Sequence, residues 1–185
     1  MKMYKNCVSD ISCNRQLEIE STFTELFLVQ DFEQINISKL CDQLDVPRKT
    51  FYRYFSGRKG VLCAVIDRML TDFSNRSFSP DKNSSLDDLE HFFVFWKAHK
   101  PFLDALARNH LTDFFVSRIH CRSIEDSVAR KLEQYHGNVK CEYSVVFLMT
   151  GLVSVLLQWH QDGMIESPRK MAGIALHLMT HPLFP

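Results

Sequence analysis

The chain lacks most of the signatures that would mark it as an enzyme, a secreted domain or a membrane protein. It has no G-x-x-x-x-G-K-[ST], H-E-x-x-H or G-x-S-x-G motif and no glycine-rich dinucleotide turn, so no enzymatic activity and no cofactor are expected. No apolar run follows Lys2 and Lys5, which argues against a secretory signal and for a cytoplasmic protein. The longest uncharged stretch, Tyr143 to His160, is interrupted by Ser144, Thr150, Gly151, Ser154 and Gln158. It reads as a doubly buried helix rather than a membrane span. Cysteines at 7, 13, 41, 63, 121 and 141 form no C-x-x-C pair. Most read as small, reduced core residues, with Cys7 and Cys13 exposed in a polar leader. No repeat, no low-complexity tract and no sustained two-residue alternation is present, which leaves an all-α protein.

Net charge is also missing: 22 basic and 22 acidic residues cancel over 185 positions. A polyanionic partner would therefore be held by a patch rather than by the whole molecule. Such a patch exists at Val46–Gly60, VPRKTFYRYFSGRKG, with five cations, four aromatic rings and no acid. Pro47 suits the first turn of a helix running to about Tyr54, because that turn leaves its missing N–H unpaired anyway. Helical winding puts Pro47, Phe51 and Phe55 on one side and Lys49, Thr50, Tyr52 and Arg53 on the other. Upstream, Ile37, Leu40, Cys41 and Leu44 recur at i, i+3, i+4 and i+7, with Asn36 as N-cap. Two short amphipathic helices joined by a tight turn at Asp45 and Val46 form a helix-turn-helix, whose second helix enters the major groove of double-stranded DNA.

These segments, with Phe23-Thr24-Glu25-Leu26-Phe27, Asp31-Phe32-Glu33 and Arg58-Lys59-Gly60-Val61-Leu62, resemble the DNA-binding domain of the TetR/AcrR family of bacterial transcriptional regulators. The resemblance implies that Lys49, Thr50, Tyr52 and Tyr54 contact bases or phosphates and that Arg58 holds the backbone. Together with the residues' own pattern it gives a DNA-contacting set of Lys39, Pro47, Arg48, Lys49, Thr50, Tyr52, Arg53, Tyr54, Arg58 and Lys59. Three positions depart from the family pattern: Asp45 where Gly is usual in the turn, Lys49 where a small residue is common, and Lys59 where an acid often completes the cap begun by Ser56. Asp tolerates left-handed backbone values, so the turn is expected to survive.

About nine helices are expected. Helix one spans about Asn14 to Val29, with Leu17, Phe23, Leu26 and Phe27 facing inward, and helix four runs from about Arg58 to Phe73. The Ser/Asn/Pro-rich stretch Ser74 to Ser85 marks a boundary between a DNA-binding head, 1–75, with leader 1–13 and helix four, and a ligand-binding and dimerisation body, 76–185. In the body, a capping box at Ser85 and Asp88 opens helix five, which ends near His99, and Pro101 opens helix six. A helix or pair covers about Leu111 to Gln134 before a break at His136-Gly137-Asn138. Helix eight runs from about Cys141 to Asp162 and stops at Gly163. Ser167 and Pro168 open the last helix, and Pro182 follows it.

Between Tyr143 and His160 helix eight is uncharged all round and needs a second partner face, which a homodimer supplies through Val145, Leu148, Leu152, Val155, Leu156, Trp159, Ile174, His177 and Leu178. Residues Gly151 to Pro168 also resemble the C-terminal domain of many TetR-family regulators of Gram-positive bacteria, which implies dimerisation through these helices. Excess aromatic surface on helix five suggests a pocket for an apolar or aromatic small-molecule effector, lined by Phe92, Phe95, Trp96, Phe102, Phe114, Phe115 and Met149. His177 and His181 have a spacing that can bind Zn²⁺, and His110, His120, His136 and His160 lie in the same body, but two ligands are not a site and no metal is expected. The function expected is a homodimeric repressor released from a palindromic operator by a ligand. The alternatives are a ligand- or partner-protein-dependent co-activator of the same fold and a metal-responsive regulator.

Overall fold

The computed structural model describes residues 3–5, 7, 9–77, 85–125 and 141–181. Among them are nine α-helices, one 3-10 turn and no strand beyond a single bridge between Tyr4 and Phe55. The head contains α1 (Asp10–Val29), the 3-10 turn Phe32–Gln34, α2 (Ile37–Gln43), α3 (Arg48–Tyr54) and α4 (Arg58–Ser77). The body contains α5 (Ser85–Ala98), α6 (Lys100–Arg108), α7 (Thr112–Glu125), α8 (Cys141–Gln161) and α9 (Pro168–Thr180). The expected breaks at His136-Gly137-Asn138 and Pro182, and the end of the Leu111–Gln134 segment, lie outside the described residues.

Local chemistry sets most of the helix ends. Asn36 Oδ1 accepts from the amides of Ser38 and Lys39 at 2.8 and 3.2 Å, so α2 starts where a side-chain cap is available. Ser167 accepts from the Lys170 amide at the start of α9, and Gly163, at φ 81°, closes the turn after α8. Two starts differ from expectation. α1 begins at Asp10 rather than Asn14, because Ser9 caps it and Asp10 complements its N-terminal dipole. Pro47 occupies the N-cap position of α3 rather than its first turn, with extended ψ of 136°.

Head and body share one core. Phe23, Phe27 and Phe32 pack ring against ring, and Phe27 meets Phe102 of α6 at 5.5 Å between centroids. The end of α6 also caps the end of α1. Arg108 donates to the carbonyl oxygens of Phe27 and Leu28 at 3.0 and 3.2 Å, supplying protons to groups that a helix terminus leaves unpaired. Next to it, Asn109 Oδ1 accepts from the Phe32 amide at 2.6 Å. Body helices α5 and α7 pack against α4, so any tilt of α4 is felt in both halves.

Leu17 departs from its expected inward place. It is exposed on the side of α1 that borders open cavities, whereas Phe23 and Phe27 are buried and Leu26 is half-buried.

Candidate nucleic-acid interface

The helix-turn-helix is built on a small apolar seam. Leu40 and Cys41 of α2, Val46 in the turn, and Phe51, Tyr54 and Phe55 at α3 are all buried. The turn itself depends on Asp45, which adopts φ 50°, the left-handed value its position requires. The Val46 amide then closes back on the Cys41 carbonyl at 2.9 Å.

With that side sealed, the other side of α3 is solvent-facing. Arg48, Lys49, Tyr52 and Arg53 are exposed and Thr50 is half-buried; Pro47, expected on the packed side with Phe51 and Phe55, is exposed at the N-cap instead, and Lys39 on α2 and Lys59 on α4 are exposed as well. Among the described residues, no acid forms an ion pair with Lys39, Arg48, Lys49, Arg53 or Lys59. The Arg53 guanidinium lies 5.0 Å from the Tyr54 ring centroid and donates to Tyr54 Oη at 2.9 Å. A short helix carrying unpaired cations and one exposed phenol is chemically suited to phosphate oxygens and base edges.

Two members of the expected set have other employment. Tyr54 is only 6 % exposed, so its ring is core and only its hydroxyl reaches outward, through Arg53. Arg58 donates to both the backbone oxygen and the carboxylate of Glu33 and covers the Phe32 ring at 5.5 Å. In this arrangement Arg58 clamps α4 to the 3-10 turn.

A further contributor carries no periodic signal. The leader lies along the end of the recognition helix: Lys5 N–H donates to Tyr54 O at 2.9 Å, and the Ser56 amide and hydroxyl donate to Met3 O at 3.0 and 2.9 Å. Ser56 thus serves the leader. Gly60 is required beneath it, since a Cβ there would stand 2.4 Å from Met3 O. Tyr4 Oη donates to Asp67 at 2.5 Å, and Asp67 also receives Arg118 of α7 through Nε at 2.6 Å and through Nη2. Burial, followed by the Asp67 carboxylate, pushes the Tyr4 phenol well above its ordinary range, keeping it a donor.

Residues 83–181 match the sequence profile of a transcriptional regulator C-terminal region of the TetR type. The chain belongs to the TetR family of transcriptional regulators. Members of this family bind DNA and dimerise. Two solved structures share the fold. One is a TetR-family transcriptional regulator from Streptomyces coelicolor, with 19 % identity and TM-score 0.56 over 89 % of this chain and 78 % of that one. The other is the fatty acid degradation regulator FadR from Bacillus halodurans, with 13 % identity and TM-score 0.59 over 97 % of this chain and 99 % of that one. Among curated proteins, none matches the sequence.

In this TetR-family chain the aromatic candidates for a ligand pocket mostly fill one another's space. Trp96 meets Phe115 edge-on at 5.1 Å, Phe92 meets Trp96 at 6.4 Å, and Phe92, Phe95, Trp96, Phe102 and Phe115 are all buried; Phe114 and Met149 are half-buried. A cavity of about 410 Å³ opens elsewhere, between α1, α4 and the α5–α6 junction. Leu17, Leu28, Val65, Met69 and Phe102 form its apolar wall, with the Glu20–Arg68 ion pair (2.6 Å) at its edge. Phe102 alone of the sequence candidates reaches it.

The dimer candidates divide in two. Val145, Leu152, Leu156 and Trp159 are buried within the protomer, where α8 packs on α7 and Trp159 meets Phe93 of α5 at 5.5 Å. Leu148 and Val155 are half-buried. Ile174, His177 and Leu178 are exposed on α9, as are Tyr143, Phe147, Gly151 and Ser154 on α8. His177 and His181 stack at 4.4 Å, and among the described residues no group of three or more His, Cys, Asp or Glu forms a metal-binding cluster.

Proposed function

We propose that this TetR-family regulator is a cytoplasmic homodimeric repressor, with residues 1–75 as the DNA-reading head and 76–185 as the body. The observation that carries this reading is the outward face of α3. Lys49, Thr50, Tyr52 and Arg53 read base edges, while Arg48, Lys39 and Lys59 hold phosphates.

The exposed faces of α8 and α9 support the dimer. Phe147 is 78 % exposed, Ile174 40 % and Leu178 39 %, and at neither Gly151 nor Gly173 would a Cβ meet an atom within 4 Å beyond its chain neighbours and its own helix backbone. Large apolar side chains beside open glycine surface permit two copies of α8 and α9 to approach closely as a four-helix interface. The same stretch, Tyr143–Gln161, is long and apolar enough to cross a bilayer by length and composition. Its buried inner face and its glycine-marked outer face fit the dimer better.

For the effector, the cavity between α1, α4 and α6 suits a small, largely apolar molecule. A ligand wedged there favours a different angle between α4 and α1. Because α4 carries each head, a change of angle alters the spacing of the two α3 helices and releases the operator. The shift requires only that the ligand bind one spacing better than the other.

Two substitutions test the reading face. Lys49→Ala is expected to cost about 1–3 kcal/mol against the preferred operator and to relax preference at one base position. Lys59→Ala is expected to weaken all duplexes alike and to reduce the salt slope by about one. Fluorescence anisotropy across a salt series measures both, and unaltered binding by both variants would contradict the assignment.

A further inference from the structure

Cys7 and Cys13 stand apart from the other described cysteines. Cys41 and Cys63 are buried, and burial is the largest influence pushing both thiols up, which leaves them protonated and poorly nucleophilic. Cys121 is exposed on α7. Cys7 and Cys13 are both half-buried, and both line one cavity of about 310 Å³ between the leader, α1 and α4. Cys13 Sγ donates to the Cys7 carbonyl oxygen at 3.4 Å. A carbonyl oxygen stands about 2.4 Å from its own Cα, so this sulfur is no more than about 6 Å from the Cys7 Cα. A disulfide needs the two Cα atoms within about 7 Å and the two sulfurs facing each other, so closure requires the leader to turn the Cys7 side chain toward Cys13.

The position of the pair gives it leverage. Two residues before Cys7, the Lys5 amide is bonded to Tyr54 O at the end of the recognition helix. One residue before that, Tyr4 reaches Asp67 and, through it, Arg118 of the body. Turning Cys7 toward Cys13 would replace its carbonyl with its side chain at this contact, two residues from the Lys5 amide.

We propose that Cys7 and Cys13 form a peroxide-oxidisable dithiol whose closure to a disulfide frees the leader from the recognition helix and lowers operator affinity. One thiolate attacks a peroxide oxygen, the O–O bond breaks, and a sulfenic acid and hydroxide form. The second thiol attacks the sulfenic sulfur, an S–S bond forms and water leaves. Two thiols are thereby oxidised and one peroxide is reduced to two waters.

The site stands independently of the DNA reading, whereas its effect on affinity rests on it, so the experiment separates the two. The full-length protein is treated with hydrogen peroxide and digested with trypsin, which releases residues 6–15 as one peptide holding both thiols. The expected peptide is lighter by two hydrogen atoms and is restored by dithiothreitol. Hydrogen exchange at the Lys5 and Ser56 amides is expected to speed up in the oxidised protein. Operator affinity is expected to fall about 5- to 150-fold, the usual range of coupling between sites. Cys7→Ser and Cys13→Ser are each expected to abolish all three changes. Unchanged mass of the 6–15 peptide would overturn the site, and a disulfide that leaves amide exchange at Lys5 and Ser56 unaltered would overturn its coupling to the recognition helix. Faster exchange in a protein that binds no operator in either state would uphold the switch and count against the DNA reading.

Discussion

Asp67→Ala is expected to lower the free energy of unfolding by about 3–5 kcal/mol. Asp67 is 4 % exposed, sits midway along α4, and is the acceptor for Tyr4 from the leader and for two nitrogens of Arg118 from α7. The Arg118 side chain is 24 % exposed, too little for water to replace the lost carboxylate fully. The cost of the substitution is chiefly the charge left without its partner, since an intact buried pair contributes little against an apolar replacement. Asp67→Leu combined with Arg118→Met is therefore expected to recover most of the loss, a coupling readable in a double-mutant cycle by urea denaturation. A loss below about 1 kcal/mol in the single variant would show that the leader, α4 and α7 are not tied here.

Phe147→Glu is expected to convert the protein from a dimer of twice 21.6 kDa to a monomer of 21.6 kDa in sedimentation equilibrium. Phe147 lies on the outer side of α8, away from the packed Val145, Leu152, Leu156 and Trp159, so the protomer's own core is untouched. In the dimer the two copies would bring two buried carboxylates into an apolar interface, which desolvation and like charge both oppose. Loss of the second half-site contact is expected to reduce affinity for a palindrome by about 10²–10⁴-fold. Thermal unfolding of the monomeric variant remains cooperative. A wild type that is already monomeric would contradict the dimer, and a Phe147→Glu variant that stays dimeric would move the interface elsewhere.

The reach of sequence reasoning follows the range of each interaction. The Asn36 cap, the left-handed Asp45, the Ser167–Pro168 start and the inward turn of Phe51 and Phe55 depend on neighbours within a few residues, and each was legible. The Tyr4–Asp67–Arg118 cluster joins residues 63 and 51 positions apart, and no periodicity reports such a meeting. Arg58 illustrates the same limit: its charge suggested phosphate, whereas a clamp on Glu33 is a property of where the 3-10 turn ends up. α8 shows a different one. Because Tyr143 to His160 carries no charge on any side, composition gave no phase to separate the face that packs on the protomer's own core from the face that the structure leaves exposed. The aromatic residues of α5 show a related limit. Rings at helical spacing pack as readily on each other as around a ligand, and here they pack.

The exposed face of α3 is proposed to read DNA in a two-fold dimer. This is tested most directly by incubating the purified protein with a random pool of duplexes at near-physiological salt and sequencing those retained. The expected product is a palindrome with two half-sites about one or more helical turns apart. Retention of no motif, or of a single asymmetric site bound by a monomer, would contradict it.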